Sequence, residues 1–272
     1  MNERIRRRKE ELGMTTEALG KLSGVPVGTI NKILSGETKS PRCDTVAALE
    51  KVLFPEESLG YRYDTGAAGK KGCVRESAAE YLSAGGAEKK QGQYTLADYY
   101  ALPEDVRAEL IDGELIYMEA PSFEHQFFLS ELIFLFTAYI KEHHGKCLVL
   151  PAPLDVQLDC DDRTMMQPDI VISCEKERRT NRCIYGAPDL AVEITSPSTR
   201  KRDYAKKMQK YMDAGVREYW IVDLQKRLVI TYFFEEDIIP HVHTFQESIP
   251  VSIYGGALAV DFAAIERRLQ EI

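Results

Sequence analysis

The sequence predicts two folds in series: an all-α module over residues 1–57, and an α/β module with a mixed sheet flanked by helices over residues 93–272. Three observations predict this. The first 57 residues break into short apolar-periodic segments separated by glycine turns. Residues 58–92 are rich in Gly, Ala, Ser and charge, the texture of a linker with at most a weak helix around Glu76 to Leu82. From Gln93 onward, strand-length apolar runs alternate with longer amphipathic helices. A length of 272 residues, 44% hydrophobic and 29% charged, supports two globular cores.

In the first module, Met1 to Leu12 is a basic helix with Arg4, Arg6, Arg7, Arg8 and Lys9. Thr15 or Thr16 can cap a second helix, and Gly24 fits its carboxyl end. Pro26 is tolerated in the first turn of a third helix, whose Ile30, Ile33 and Leu34 face a core and which Gly36 closes. Thr45 to Leu53 gives a fourth, with Val46, Leu49 and Val52 inward. Two short helices joined by a tight turn, backed by flanking helices, is the helix-turn-helix layout. The exposed positions of the third helix are Val27, Gly28, Thr29, Asn31 and Lys32. Thr29, Asn31 and Lys32 can reach base edges, and Lys39 and Arg42 can hold phosphates. The competing reading is a helical module that packs only on a partner protein.

The net charge is −8 and the pI about 5.3, which excludes bulk-charge coating of nucleic acid but allows a local basic patch. No signal segment or membrane span is legible, so the expected location is cytoplasmic, with no membrane partner. The six cysteines, Cys43, Cys73, Cys147, Cys160, Cys174 and Cys183, form no CxxC pair and read as scattered reduced thiols.

In the second module, Thr95 caps a short helix in QYTLADYYAL. Asp112-Gly113 between apolar pairs signals a two-residue hairpin, which places Glu109 and Glu114 on one face. Phe123 to His144 is a long amphipathic helix with His125 in its first turn and Phe128, Leu132, Leu135, Phe136 and Tyr139 as its stripe. Strand candidates follow in CLVLPAPLDVQL, TMMQPDIVIS, PDLAVEITS and EYWIVDL, and QKRLVITYFF forms a hairpin with the last. A helix, Thr199 to Ala214, separates the third and fourth strands.

Two of these strands carry a carboxylate amid residues made for burial. Asp169 shares a face with Val171, and Glu193 shares a face with Ala191 and Thr195. A bare carboxylate on a covered sheet is costly unless it is paired or binds a cation. Two on adjacent strands can converge on one Mg²⁺ or Mn²⁺, with the Ile194 carbonyl as a further oxygen. Such an ion would acidify a bound water and neutralise charge on a phosphodiester. On a regular helix with Tyr204, Met208, Tyr211 and Gly215 inward, Lys207 lies about 70° from the stripe centre and can reach back to the sheet. Lys206 points away and Lys210 lies well off to the flank. The alternative for both acids is structural salt bridging.

TTEALGKLSGVPVGTINKILSGETKSPRCDTVAALEKVL resembles the XRE, or lambda-repressor-like, helix-turn-helix family over residues 1–55. ELIDGELIYMEAPSFEHQ, QPDIVI and APDLAVEITSPSTRKRDYAKKMQKYMDAGVREYWIVD together resemble the Uma-two family of restriction-endonuclease-like proteins, within the PD-(D/E)XK nuclease superfamily. That resemblance covers residues 93–235 and implies an α/β restriction-endonuclease-like fold. It implies Asp169 and Glu193 as the motif acids and metal ligands, and a catalytic lysine that has migrated to Lys207, since Thr195 stands two places after the acid. It also implies roles for His125, as a catalytic residue, and for Glu109 and Glu114, as helpers of the metal.

The expected function is a Mg²⁺- or Mn²⁺-dependent DNA endonuclease targeted by the helix-turn-helix, with DNA as partner and a homodimer allowed. The alternative is a DNA-binding transcriptional regulator whose nuclease-like domain is catalytically inactive. A self-cleaving repressor using Ser196 or Ser198 is disfavoured, because the linker has no small-residue cleavage segment.

Overall fold

The structure is a computed structural model, and it describes residues 2–38, 41–54, 89–103, 106–195 and 203–272. Lys39, the linker through residue 88 with its weak helix, Ser196, Ser198 and the start of the Thr199–Ala214 helix lie outside the described residues. The chain divides into two compact units. One is Met1–Tyr117 with Asp161–Arg163, and the other is Met118–Cys160 with Thr164–Ile272.

The first unit opens with α1 (Asn2–Glu11), α2 (Thr16–Ser23), α3 (Val27–Ser35) and α4 (Cys43–Leu53). Thr15 caps α2 by accepting from the Ala18 amide, and Gly24 ends it at φ 74°. Pro26 stands one place earlier than expected, as the N-cap of α3. Ile5, Leu19, Ile30, Ile33, Leu49 and Leu53 are wholly buried, while Leu34 and Val52 are only half-buried. At Gly20 a Cβ would stand 3.0 Å from the Val25 carbonyl oxygen and 3.1 Å from Val27 Cγ2, so the turn packs against a residue without a side chain. The basic residues of α1 are largely spent inside this bundle. Arg4 pairs with Glu50, Arg7 and Arg8 pair with Glu11, and Arg4 and Arg8 lie over the Phe54 ring.

The rest of this unit is α5 (Leu96–Tyr100) and the hairpin β1 (Ala108–Ile111) and β2 (Glu114–Tyr117). Asp98 receives the amide and hydroxyl of Thr95 and so fixes the start of α5. The hairpin turn has φ 53° at Asp112 and 79° at Gly113, as a type I′ turn requires. Lys89 to Gly92, read from sequence as linker, are tied to the hairpin: the Gln91 amide group exchanges two bonds with the Leu115 backbone. Arg163 Nη2 donates to the carbonyls of Gly92 and Asp112 at 2.6 and 2.8 Å, and the Gly113 amide donates to the Arg163 carbonyl.

The second unit is built on a six-stranded mixed sheet in the order β10-β9-β8-β7-β5-β3. The strands are β3 (Leu148–Pro151), β5 (Ile170–Ser173), β7 (Leu190–Thr195), β8 (Glu218–Asp223), β9 (Leu228–Phe233) and β10 (His241–Thr244). β7 and β8 are parallel and the other pairings antiparallel. One face packs on α6 (Phe123–Glu142) and α8 (Phe262–Glu271). There Phe128, Leu132 and Phe136 meet Ile170, Ile172, Val192 and Trp220, with Leu135 and Tyr139 only partly buried. CLVLPAPLDVQL, expected as one strand, is two: the cis Ala152–Pro153 bond stands between β3 and β4 (Asp155–Gln157). β4 pairs with β6 (Cys183–Tyr185), and β11 (Ser248–Pro250) with β12 (Ala259–Asp261). The expectation of reduced thiols fails at Cys147 and Cys174, which flank the β3–β5 ladder and form a disulfide, and at Cys160, which is disulfide-bonded as well. Among the described residues no helix is long and apolar enough to cross a membrane.

Candidate active site

Strand alternation decides which groups meet on the second face of the sheet. Ile170, Ile172, Leu190, Val192 and Ile194 all enter the core with α6, so Glu193 must point the other way. Ile170 pairs with Val192, which puts Asp169 and Glu193 at the next step of the same β5–β7 ladder. Asp169 Oδ2 accepts the Ile194 amide at 2.7 Å, which fixes that carboxylate against β7. Glu193 is 4% exposed, and its Oε1 accepts Lys207 Nζ at 2.8 Å and the Tyr211 hydroxyl at 2.7 Å.

The segment carrying that lysine departs from the regular helix expected. Asp203–Lys207 is a π-helical turn, followed by α7 (Met208–Ala214), which Gly215 ends at φ 94°. Wider turns change the phase of everything they precede or follow. The inward stripe is Asp203, Lys207, Lys210, Tyr211 and Ala214, all buried. Tyr204 and Met208, assigned inward, are only half-buried. Lys207 is therefore at the sheet, as expected, 2% exposed and 3.7 Å from Asp203 Oδ1 as well. Lys210, expected on the flank, is buried too and forms an ion pair with buried Asp159. The Tyr219 hydroxyl donates to the Asp203 carbonyl at 3.1 Å, and the Tyr219 ring lies 4.7 Å from that of Tyr211. Beside this turn, Tyr204 donates to Asp223 at 3.0 Å.

Ser122 caps α6 by accepting the His125 amide, which brings the imidazole to Asp169: Nε2 lies 3.2 Å from Oδ2. Both side chains are 13% exposed. Glu109 and Glu114 share a hairpin face by register, Glu109 opposite Ile116 and Glu114 opposite Ile111. They differ in burial, Glu109 being wholly buried and Glu114 exposed. Both belong to the first unit. Also there, Val27, Gly28, Thr29, Asn31 and Lys32 form the exposed face of α3, and Arg42 is exposed just before α4. Lys32 lies 3.5 Å from Glu37.

Sequence reasoning missed Tyr211 and Asp203 as partners of the site. Their spacing was a usable signal, since Asp203, Lys207 and Tyr211 stand at successive i, i+4 positions.

Among the described residues no group of three or more His, Cys, Asp or Glu side chains is placed to hold a metal ion. The two acids nevertheless suit Mg²⁺ or Mn²⁺. Both offer hard oxygen donors from neighbouring strands, and such ions keep several waters while using one or two carboxylates. Thr195 Oγ1 is buried on the same face with no hydrogen-bond partner among the described residues, a polar atom suited to a hydration shell.

The comparisons with known proteins agree with this architecture. Residues 5–54 match the family model described as "Helix-turn-helix". The class is thus a helix-turn-helix domain followed by an α/β restriction-endonuclease-like domain. Residues 96–256, more than half of the chain, match the Uma2 model, described as "Putative restriction endonuclease". The chain belongs to the Uma2 family. Its fold is shared with a crystal structure described as "a putative nuclease belonging to DUF820" from Anabaena variabilis ATCC 29413. That likeness has 22% identity and a TM-score of 0.53, over 63% of this chain and 96% of the other. No curated protein matches the chain.

Proposed function

We propose that this protein is a metal-dependent DNA endonuclease of the cytoplasm, brought to duplex DNA by residues 1–57 and cutting with the module of residues 93–272. The observation that carries the proposal is the meeting of Glu193 with Lys207, at the same step of the β5–β7 ladder as Asp169, in a member of the Uma2 family. Asp169 and Glu193 would hold Mg²⁺ or Mn²⁺, which when bound supplies charge neutralisation at the phosphodiester and a more acidic water. Lys207 supplies a buried cation, the kind of group that stabilises charge on a phosphate oxygen or the attacking oxygen. His125 acts through Asp169, its Nε2 meeting the same Oδ2 that accepts the Ile194 amide. Glu109 and Glu114 take no part in the proposal. In the helix-turn-helix, Thr29, Asn31 and Lys32 would read bases while Arg42, with Lys39, holds phosphates.

The test is cleavage of end-labelled duplex, branched and single-stranded DNA with and without Mn²⁺, for the wild type and Glu193→Gln. Metal-dependent cutting that the variant loses is expected. DNA binding with no cutting of any substrate would favour the regulator with an inactive nuclease-like domain.

A further inference from the structure

A single oxygen of Glu193 carries two donors. Lys207 Nζ at 2.8 Å and the Tyr211 hydroxyl at 2.7 Å both end on Oε1, from one segment and one turn apart. The two donors differ in kind. Lys207 is a cation at the end of a flexible stem, and a cation is what a phosphodiester or a developing oxyanion attracts. Tyr211 is an uncharged donor, wholly buried and packed ring to ring on Tyr219 at 4.7 Å. Tyr219 in turn donates to the Asp203 carbonyl at 3.1 Å, so the wall behind Tyr211 is fastened to the π-helical turn that presents Lys207. A lysine that serves substrate must weaken its hold on Glu193. If it were the only donor, the carboxylate would lose its aim at that moment.

We propose that Tyr211 is the positioning residue of this site: its hydroxyl holds Glu193 Oε1 in place when Lys207 turns from Glu193 to the substrate. The inference rests on the metal-dependent reading above and deepens it. Lys207 and Tyr211 then divide two duties that coincide in the free protein. Tyr211 sets the direction of a metal-holding carboxylate, and Lys207 acts on the reacting phosphate. Hydrogen-bonding partners that orient metal ligands typically contribute about 10- to 100-fold to metal affinity.

The experiment is calorimetric titration of the full-length chain with MnCl₂ alone, on wild type, Tyr211→Phe and Lys207→Met, with circular dichroism melts alongside. Tyr211→Phe is expected to bind Mn²⁺ about 10- to 100-fold more weakly while keeping its fold. Lys207→Met is expected to stay within about threefold of wild type or to bind more tightly, since it removes a competing cation and leaves the tyrosine bond. Wild-type binding with Tyr211→Phe unchanged overturns the inference and spares the metal reading. Absence of Mn²⁺ binding by the wild type overturns both. Should Tyr211→Phe not fold, Lys207→Met decides: a loss of about tenfold or more shows that the lysine sets the aim, against the proposal.

Discussion

Replacing Lys210 by methionine separates stability from chemistry in this site. Lys210 and Asp159 are 9% and 3% exposed at their side chains, and the ion pair is their meeting point under α7. Removing the lysine leaves a carboxylate in that interior without this cation, a change that typically costs about 3–5 kcal/mol. The second unit has about 150 residues. With about 2.1 cal/mol/K of unfolding entropy per residue, its transition has about 0.3 kcal/mol/K, so Tm falls by roughly 10–15 °C. Methionine keeps most of the stem's volume, so little of this is cavity cost. The assay is thermal unfolding of the full chain followed by near-ultraviolet circular dichroism, with Asp159→Leu/Lys210→Met as the companion. The double variant should recover most of the loss, because it removes both charges. At a temperature where Lys210→Met is folded, its single-turnover cleavage should stay near wild type. A Tm drop below about 3 °C, or a large rate loss in a fully folded protein, would refute the reasoning.

Lys207→Ala should lower the single-turnover rate by about 10²- to 10³-fold, and Lys206→Ala should change it little, in rapid-quench measurements. Gly113→Ala should cost at least about 2 kcal/mol and expose the hairpin amides to hydrogen exchange. A Cβ there would sit 2.7 Å from the Gly92 carbonyl oxygen, at a φ of +79°. Burial pushes the Glu218 carboxyl above its ordinary pKa, against amide donors from Ser252 and Ile253, the Trp220 indole and nearby Arg217. A raised acid contributes most below its unfolded pKa and loses that contribution as pH rises through the folded value. Urea melts should therefore show wild type gaining on Glu218→Gln as pH falls from neutrality toward 5, and a gap that widens the other way would contradict the assignment. In the helix-turn-helix, Arg42→Ala should reduce the salt dependence of duplex binding by about one phosphate contact, read from log–log plots of affinity against salt.

Much of this was legible because it rests on rules with short range. Asp112-Gly113 dictated the turn and hence the Glu109 to Ile116 and Glu114 to Ile111 pairing. Period-two alternation put Glu193 off the core face, and the adjacency of β5 and β7 did the rest. What sequence could not give was phase across a π-helical turn. A constant 100° per residue keeps Lys207 near the sheet but puts Lys210 on the flank, and the structure brings in both. Nor could six cysteines without a close-spaced pair announce that Cys147 and Cys174 would face each other, since that proximity comes from β3 pairing with β5. Tyr211 read as an apolar stripe residue, and its ring does pack on Tyr219. Its hydroxyl carries the part of its role that hydropathy hides.

Arg163 sets an order on the birth of the molecule. The hairpin it clasps ends at Tyr117, yet Arg163 follows Asp112 by 51 residues. A ribosome adding about 5–20 residues per second needs several seconds to cover that distance. During that interval the nascent hairpin has its turn and ladder but lacks the guanidinium that bridges Gly92 and Asp112. The amino-terminal half therefore completes its bonding only after α6 and β3 have been made. Release of a truncated chain before residue 163 would leave the hairpin without that clasp, so quality-control proteases should distinguish fragments ending just before and just after it.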